Sequence, residues 1–137
     1  MIKLHGYVTS KSFNGYALPV PIQNKLLRYH AIENEMMYIL PQCELFIENN
    51  YMALFDTLRN MNSNSHLGLC SIYMLPQRED KIKKILDVIM SKNITSHFIF
   101  ENKIVNASNI LNFFNEKNII NILKFENREN IKNIFIR

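Results

Sequence analysis

The chain has 137 residues, of which 47% are hydrophobic and 20% are charged, values typical of one globular domain that needs neither disulfides nor metals to fold. The formal net charge is +4, and since no apolar run approaches the roughly 20 residues of a membrane span, we expect no membrane partner. The sequence after Met1 leads directly into a strand-like pattern without the apolar core of a signal peptide, which predicts a cytoplasmic protein.

Strand-like and helical patterns alternate along the first half of the chain. Proline is tolerated at the first positions of a helix, so Pro19 and Pro21 indicate a helix start, and apolar residues then keep helical spacing. In chain order, the sequence predicts a strand over 3–9, a polar loop over 10–15, a helix from Pro19 to about residue 34, a strand-like run over 36–40 and a helix over 48–60.

The second half continues the alternation. Residues 67–73 form a nearly continuous apolar run, as expected for a central parallel strand covered on both faces. They are followed by an amphipathic helix over 80–92, a strand over 94–101, a helix over 107–116, a strand or helix continuation over 119–125 and a short terminal element over 130–137. We therefore expect a single α/β domain over residues 1–137, in which 102–137 is the least regular part. Its fold would be three-layered and Rossmann-like, with a mostly parallel sheet of four to five strands.

Polar residues follow several of the predicted strands. Ligands in open α/β sheets collect outside the carboxyl ends of the strands, where loops converge. This rule selects Ser10, Lys11, Ser12, Glu44, Ser71, Tyr73 and Glu101. The first three form a turn before a proline-started helix and could hold a phosphate or carboxylate through hydroxyls, amides and one ammonium group. The alternative is an ordinary polar loop, because the sequence has no Walker or GxGxxG pattern.

Three residues near predicted strand ends are candidates for acid–base catalysis, namely Glu44, His97 and Glu101. His97 could act as the base, with Glu101 four residues later orienting it. The alternative for His97 is a core histidine bonded to the backbone. Arg28 in the first helix would be a second contact to the anion if it faces inward, or a solvent-facing side chain near the glutamates at the end of that helix.

The sequence predicts neither a metal nor another cofactor. His5 and His97 fall in strand patterns, His30 in a helix and His66 in a turn. No two of these histidines have the spacing of metal ligands on one face. Cys43 and Cys70 form no CxxC pair and are predicted to be buried thiols in a reducing compartment.

The excess positive charge lies entirely in the second half of the chain. Four lysines fall in the helix predicted over 80–92 and are interpreted as a solvated outer face: Lys81, Lys83, Lys84 and Lys92. Nucleic-acid binding is the alternative, but it would require basic and aromatic residues on one surface, and the five arginines are scattered along the chain. We therefore expect no nucleic-acid partner.

Four blocks of sequence resemble one family. They are residues 5–15, residues 18–24 with Arg28, residues 71–76, and residues 97–98 with 101–102. On these blocks the chain resembles the sporadic carbohydrate cluster protein family, whose genomic setting implies a role in lipopolysaccharide or other surface-glycan biosynthesis. The family usually has arginine where this chain has Lys11. A cation is kept there, but a bidentate grip on a carboxylate or phosphate is lost.

The order of elements is also similar to that of the catalytic domain of serine recombinases (resolvases), which opens with a strand, a serine-bearing loop and a glutamine-containing helix. Residues 71–77 align with the recombinase segment that carries catalytic arginines, but Met74 and Gln77 stand there instead. Without those cations a phosphodiester transition state would lack stabilisation. The resemblance therefore supports a resolvase-like order of strands and argues against DNA strand exchange.

Together these observations favour a cytoplasmic protein of surface carbohydrate biosynthesis that binds or acts on an anionic sugar derivative, such as a sugar phosphate, a nucleotide sugar or an acidic sugar. Its substrate contacts would be Ser10, Lys11, Ser12, Arg28, Ser71 and Tyr73. The alternatives are a non-catalytic interaction module for glycan-assembly enzymes and a small nucleic-acid-binding, resolvase-like domain. A homodimer is the commonest oligomer for small proteins of this type.

Overall fold

The computed structural model describes residues 1–15, 17–44 and 50–118. In chain order its elements are β1 (Lys3–Gly6), β2 (Val8–Thr9), α1 (Val20–Glu33), β3 (Met37–Ile39), β4 (Cys43–Glu44), α2 (Met52–Asn60), β5 (Ser65–Leu69), a 3-10 turn (Ile72–Met74), α3 (Glu79–Ser91), β6 (Thr95–Phe98), β7 (Lys103–Val105) and a second 3-10 turn (Ala107–Asn109). Helical residues 110–118, designated α4, follow. Among the helices of the described ranges, none has the length and apolarity needed to cross a membrane.

Five strands form one sheet in the order β3-β1-β5-β6-β7. β1 pairs in parallel with β3 on one side and with β5 on the other, and β5 pairs in parallel with β6. β7 forms one edge as an antiparallel strand. β2 and β4 form a separate, two-stranded parallel sheet. The mostly parallel sheet with helices around it confirms the predicted α/β fold.

Helices cover both faces of the sheet because the chain crosses it in two directions. It moves from β1 to β3 through α1, and then back past β1 to β5 and β6 through α2 and α3. Since such crossovers are right-handed, α1 lies on one face and α2 with α3 on the other. α1 approaches the central strand at Gly68, where an added Cβ would lie 3.1 Å from side-chain atoms of Leu27 and Leu4. Gly68 therefore provides the space for this close packing.

Three predicted strands are shorter in the structure, those over 3–9, 67–73 and 94–101. The first is divided at Tyr7. The second ends before Ser71, whose hydroxyl accepts a hydrogen bond from the N–H of Tyr73 and bends the backbone into a 3-10 turn. The Glu101 carboxylate also accepts from the N–H of Ile72. These side-chain acceptors replace the ladder bonds that a longer strand would need.

The helices agree more closely with the prediction than the short strands do. α3 lies within one residue of the segment predicted over 80–92, and the helix predicted over 107–116 is found as a 3-10 turn that continues into α4. The sequence does not predict β4 or β7, because two or three residues are too few for an alternating pattern. The helix predicted over 48–60 begins at Met52. Residues 45–49 and the elements predicted over 119–125 and 130–137 lie outside the described residues.

Two local predictions are wrong and one is confirmed. Cys43 is exposed, since it occupies the outward position of the two-residue β4. His66 lies in β5 and not in a turn, because that strand begins before its apolar run. Cys70 is buried as predicted. Burial, together with the nearby charge of Glu101, raises the pKa of its thiol to about 12, which argues against a thiolate nucleophile there.

Lys92 is not part of a solvated lysine face. It follows the last turn of α3, and its ammonium group donates hydrogen bonds to the carbonyl oxygens of Leu58 at 2.7 Å, Arg59 at 2.8 Å and Met61 at 3.3 Å. These carbonyls lie at the carboxyl end of α2, where a positive charge also interacts favourably with the helix dipole. Lys92 therefore stabilises the end of one helix from another.

Replacing Lys92 by methionine should lower the free energy of unfolding by about 1–2 kcal/mol, because the apolar stem is kept while the charged donor is lost. Urea denaturation monitored by circular dichroism measures the change. Lys84→Met is the matched control, since Lys84 is exposed on the same helix and its replacement should cost less than about 0.5 kcal/mol. Equal effects of the two substitutions would contradict the capping role.

Candidate functional site

The predicted ligand site lies at the carboxyl end of the parallel strands. β1 is the strand at which the chain reverses its direction across the sheet, with β3 and β5 as its neighbours, and such switch points form crevices in open α/β sheets. The turn over residues 10–15 follows β2, and further turns follow the parallel strands β5 and β6. We designate these three turns the carboxyl rim.

Lys11 is held at the rim by several contacts. Its backbone N–H donates to Oγ1 of Thr9 over 3.1 Å. Its ammonium group donates to the carbonyl of Asn50 and lies 4.3 Å from the ring centroid of Tyr51. The side chain is partly buried, whereas the two serines that flank it are exposed. The turn thus presents two hydroxyl groups beside one oriented cation.

The charge of Lys11 is only partly balanced. Burial lowers the pKa of its ammonium group; the Glu44 carboxylate acts in the opposite direction, and the charge of Lys81 in α3 lowers the pKa further. Among the described residues, no carboxylate forms a salt bridge with Lys11. The ammonium groups of Lys11 and Lys81 thus repel each other, and exposed serine hydroxyls flank Lys11. This arrangement favours the binding of an anion.

Glu44 interacts electrostatically with the Lys11 cation, and both of its carboxylate oxygens accept hydrogen bonds from the protein. The residue is only 2% exposed. Its carboxylate accepts hydrogen bonds from the Tyr7 hydroxyl at 3.0 Å and from the backbone N–H groups of Ala53 at 3.1 Å and Leu54 at 3.3 Å. Those N–H groups belong to the first turn of α2, whose N-cap residue makes no side-chain cap bond. Glu44 therefore caps α2 from outside the helix.

Glu101 is engaged in a similar way on the other side of the rim. One carboxylate oxygen accepts from the Ser71 hydroxyl at 3.0 Å and the other from the N–H of Ile72 at 2.7 Å. Tyr73 lies in the same turn, and its hydroxyl donates to the carbonyl of Lys117 at 3.4 Å. Burial, and then the charge of Glu101, raises the pKa of Tyr73. The structure thus brings Ser71, Tyr73 and Glu101 together as one network.

An aromatic contact joins the two sides of the rim. The ring of Phe13, in the first turn, has its centroid 6.2 Å from that of Phe100, which precedes Glu101. The predicted turn and both predicted carboxylates therefore lie at one end of the sheet. Because both carboxylates accept bonds from fixed donors, their positions are those of structural acceptors, and a catalytic role for Glu44 or Glu101 stays a prediction.

The predicted pairing of His97 with Glu101 is not formed. His97 is 3% exposed, and both of its ring nitrogens bind other histidines. Its Nδ1 lies 2.8 Å from Nε2 of His30, and its Nε2 lies 2.8 Å from Nδ1 of His66. Glu101 lies beyond the end of β6, in the following turn, where its carboxylate accepts hydrogen bonds from Ser71 and Ile72 instead. The backbone-bonded alternative for His97 is not found either, because its partners are side chains.

Arg28 adopts the solvent-facing alternative. It is exposed on α1, with its guanidinium carbon 5.9 Å from the ring centroid of Tyr38. No salt bridge to Arg28 is present within the described ranges. The structure therefore gives Arg28 no place at the carboxyl rim.

Gln23 is a site-building residue that the sequence analysis missed. It is fully buried, and its amide oxygen accepts from the N–H of Thr9 at 3.2 Å while its amide nitrogen donates to the carbonyls of Thr9 at 2.8 Å and Leu18 at 2.7 Å. These bonds fix the segment that leads into the Lys11 turn. A polar residue at a core position of a predicted helix was the available signal, since buried amides are normally hydrogen-bonded.

The described residues contain no group of three or more histidine, cysteine, aspartate or glutamate side chains arranged to hold a metal ion. The Lys11 turn instead offers a ligand two hydroxyl groups and one lysine ammonium group, the chemistry of an anion site. The chain matches none of the protein-family models against which it was compared. A comparison with curated protein sequences likewise gave no match.

Proposed function

We propose that the protein binds the anionic group of a sugar derivative, such as a sugar phosphate, a nucleotide sugar or an acidic sugar, at the carboxyl rim, and that it serves surface carbohydrate biosynthesis in the cytoplasm. The observation that carries the proposal is the position of Lys11, a partly buried cation oriented by Asn50 and Tyr51 and repelled by Lys81. A bound phosphate or carboxylate would relieve that repulsion and accept hydrogen bonds from the flanking hydroxyls.

The state of the two carboxylates favours binding over chemistry at the rim. Glu44 and Glu101 each accept two or more hydrogen bonds from groups of the protein itself. A general acid or base must instead reach a proton of the ligand. Among the alternatives, a non-catalytic module for glycan assembly therefore agrees better with this proposal than a nucleic-acid-binding domain does.

The carbohydrate part of the proposal depends on the resemblance of residues 5–15 and 18–24 to the sporadic carbohydrate cluster protein family. These two segments contain Lys11 and also Gln23, whose amide fixes the backbone that leads into the Lys11 turn. The segments that carry the resemblance are therefore the ones that build the proposed anion site. This coincidence supports a shared ligand chemistry.

Replacing Lys11 by alanine should raise the Kd for glucose 1-phosphate at least tenfold at about 50 mM salt, because a charge-assisted contact of about 1.4 kcal/mol or more is lost. At about 500 mM salt the difference should shrink, since ions screen exposed charges. Isothermal titration calorimetry measures both effects, with a nucleotide sugar as second ligand and uncharged glucose as comparator.

Lys84→Ala is the matched control for this substitution, since Lys84 lies exposed on α3 and makes no hydrogen bond or salt bridge within the described residues. Lys11→Arg should keep most of the affinity because it keeps the cation. Unchanged affinity in Lys11→Ala, or an equal loss in Lys84→Ala, would rule out the proposed site. Retention of an oligonucleotide at about 150 mM salt, lost in Lys11→Ala, would favour the nucleic-acid alternative.

A further inference from the structure

Three histidines form a hydrogen-bonded chain between α1 and the sheet. His30 comes from α1, His66 from β5 and His97 from β6. His97 is the middle member, with ring centroids 4.9 Å from His30 and 5.1 Å from His66. Both end members are half-buried. Their outer ring nitrogens, Nδ1 of His30 and Nε2 of His66, make no hydrogen bond within the described residues.

The bonding pattern gives this chain a direction. Each N···N hydrogen bond needs one protonated and one unprotonated nitrogen. A neutral His97 uses both ring nitrogens, so it donates in one bond and accepts in the other. Two arrangements satisfy both bonds: every ring carries its proton on Nε2, or every ring carries it on Nδ1. A change of tautomer at one end therefore requires the same change at the other.

All three rings favour the neutral form. Burial lowers the pKa of His30, although Glu33 acts in the opposite direction, and burial lowers the pKa of His66. The pKa of His97 falls to about 4, since the charges of its two neighbours add to the effect of burial. At neutral pH the three hydrogen-bonded histidines are therefore uncharged, and each ring carries one proton.

His30 also lines a cleft of about 580 Å³ between α1 and the β6–β7 hairpin. The cleft combines aromatic, amide and charged groups, among them Tyr29, Phe98, Asn34, Asn102 and Lys103. A concave site with apolar walls and a few polar groups is the usual form of a small-molecule site. Titratable groups shifted by burial and by one another beside a cleft are a recognised mark of functional sites.

We propose that this cleft is a second ligand site, in which His30 is the acid–base group for a small polyhydroxylated compound and His97 and His66 relay its proton to and from solvent. Amides and an ammonium group bond hydroxyls, and the exposed ring of Tyr29 can cover the apolar C–H face of a sugar-like ring. The cleft adjoins the carboxyl rim at the turn after β6, through Ile99 and Asn102, but none of the residues predicted to contact the anion lines the cleft, so the two proposals are tested separately.

The proton transfer balances without any further reactant. Nδ1 of His30 takes a proton from a ligand hydroxyl, and Nε2 of His30 gives its own proton to Nδ1 of His97. Nε2 of His97 then gives its proton to Nδ1 of His66, and Nε2 of His66 releases one to water. All three rings end in the other tautomer and one proton has moved from the ligand to solvent. The reverse sequence protonates the ligand.

Nitrogen NMR of the full chain with ¹⁵N-labelled histidine tests the relay at about pH 8, where the rings are neutral. We expect scalar couplings across both N–H···N bonds and equal fractions of the Nδ1–H tautomer in His30, His97 and His66. His66→Phe should change the tautomer fraction of His30, two rings away. His5→Phe is the matched control, since His5 is not one of the three hydrogen-bonded histidines, and this substitution should leave the tautomer fraction of His30 unchanged.

Unequal tautomer fractions in the three rings of the wild type would overturn the relay. It would also be overturned if His66→Phe changed the tautomer fraction of His30 no more than His5→Phe does. His97 is the most deeply buried of the three rings, so its replacement should lower the stability of the fold as well as interrupt the relay. His66 is half-buried, and phenylalanine keeps its aromatic shape. The His66 variant therefore carries the test.

Titration with glucose, an uncharged polyol, tests the ligand class. We expect saturable shifts of the His30 and Asn102 signals with a Kd in the millimolar range, and a matching change in the tautomer fraction of His66. Tyr29→Ala should weaken binding several-fold, whereas Lys84→Ala, on the exposed face of α3, should leave it unchanged. Absence of shifts at about 100 mM glucose excludes a polyol ligand and overturns the proposal, and shifts confined to His30 with an unchanged His66 overturn the relay.

Discussion

Replacing Glu44 by alanine should lower the free energy of unfolding by about 3 kcal/mol. The substitution removes an acceptor that serves a buried hydroxyl and two backbone N–H groups, those of Ala53 and Leu54. A buried donor left without a partner costs about 1–3 kcal/mol, and loss of a helix cap costs about 0.5–2 kcal/mol. Relief from burying the carboxylate offsets part of the sum. Urea denaturation at pH 7 measures the change.

A double-mutant cycle identifies the interaction that is lost. Tyr7→Phe in the Glu44→Ala background removes the orphaned hydroxyl, so the second substitution should cost at least about 1 kcal/mol less there than in the wild type. Glu44→Gln keeps one carbonyl oxygen and should fall between alanine and the wild type. Glu79→Ala, on an exposed helix end, is the control, and a Glu44→Ala effect as small as the control's would show that the carboxylate is not structural.

Acidification from pH 7 to pH 5 should destabilise the protein by about 2 kcal/mol through His97 alone. The folded structure lowers the pKa of this ring from its usual 6.5 to about 4. In this range the unfolded chain therefore binds more protons than the folded chain, and stability falls as pH falls. The loss begins near pH 6.5, continues to about pH 4 and then levels off. Each pH unit between these limits is worth about 1.4 kcal/mol.

The comparison that isolates His97 is its replacement by glutamine, which keeps a polar side chain of similar reach. The variant should be less stable than the wild type at pH 7 but should lose less stability on acidification to pH 5. Both proteins contain the same glutamate and aspartate residues, so the comparison isolates the effect of replacing His97. Parallel pH dependences of wild type and His97→Gln would contradict the burial of a neutral ring.

The parts of the fold that sequence predicts are those fixed by long periodic patterns. The apolar stripe of α3, with Ile82, Ile85 and Ile89 buried, defines that helix to within one residue. The apolar run at Leu67 and Leu69 identifies the central strand. Strand ends are less accessible to such reasoning, because they depend on single side-chain acceptors such as Ser71, whose effect on the backbone appears only in three dimensions.

The candidate site, like the fold, can be predicted from the sequence only in part. The rule that ligands bind beyond parallel strands predicts that Lys11, Glu44 and Glu101 lie at one end of the sheet, and it can place them there because it follows from topology alone. The rule does not reveal that the carboxylates of Glu44 and Glu101 already accept hydrogen bonds from donors within the protein. The histidine chain is invisible in the sequence, since His97 meets partners 67 and 31 residues away through strand pairing and helix packing that spacing along the chain does not encode.

The two caps of α2 have a consequence for the order of folding. This helix has nine residues, a length at which isolated helices are marginal in water. Its start is satisfied by Glu44, which precedes it in β4, and its end by Lys92, which comes 31 residues or more after the carbonyls it binds. A peptide of residues 50–62 should therefore be unstructured on its own. In the whole chain α2 should become protected from hydrogen exchange only after α3 has docked, which makes it a late and cooperative part of the molecule.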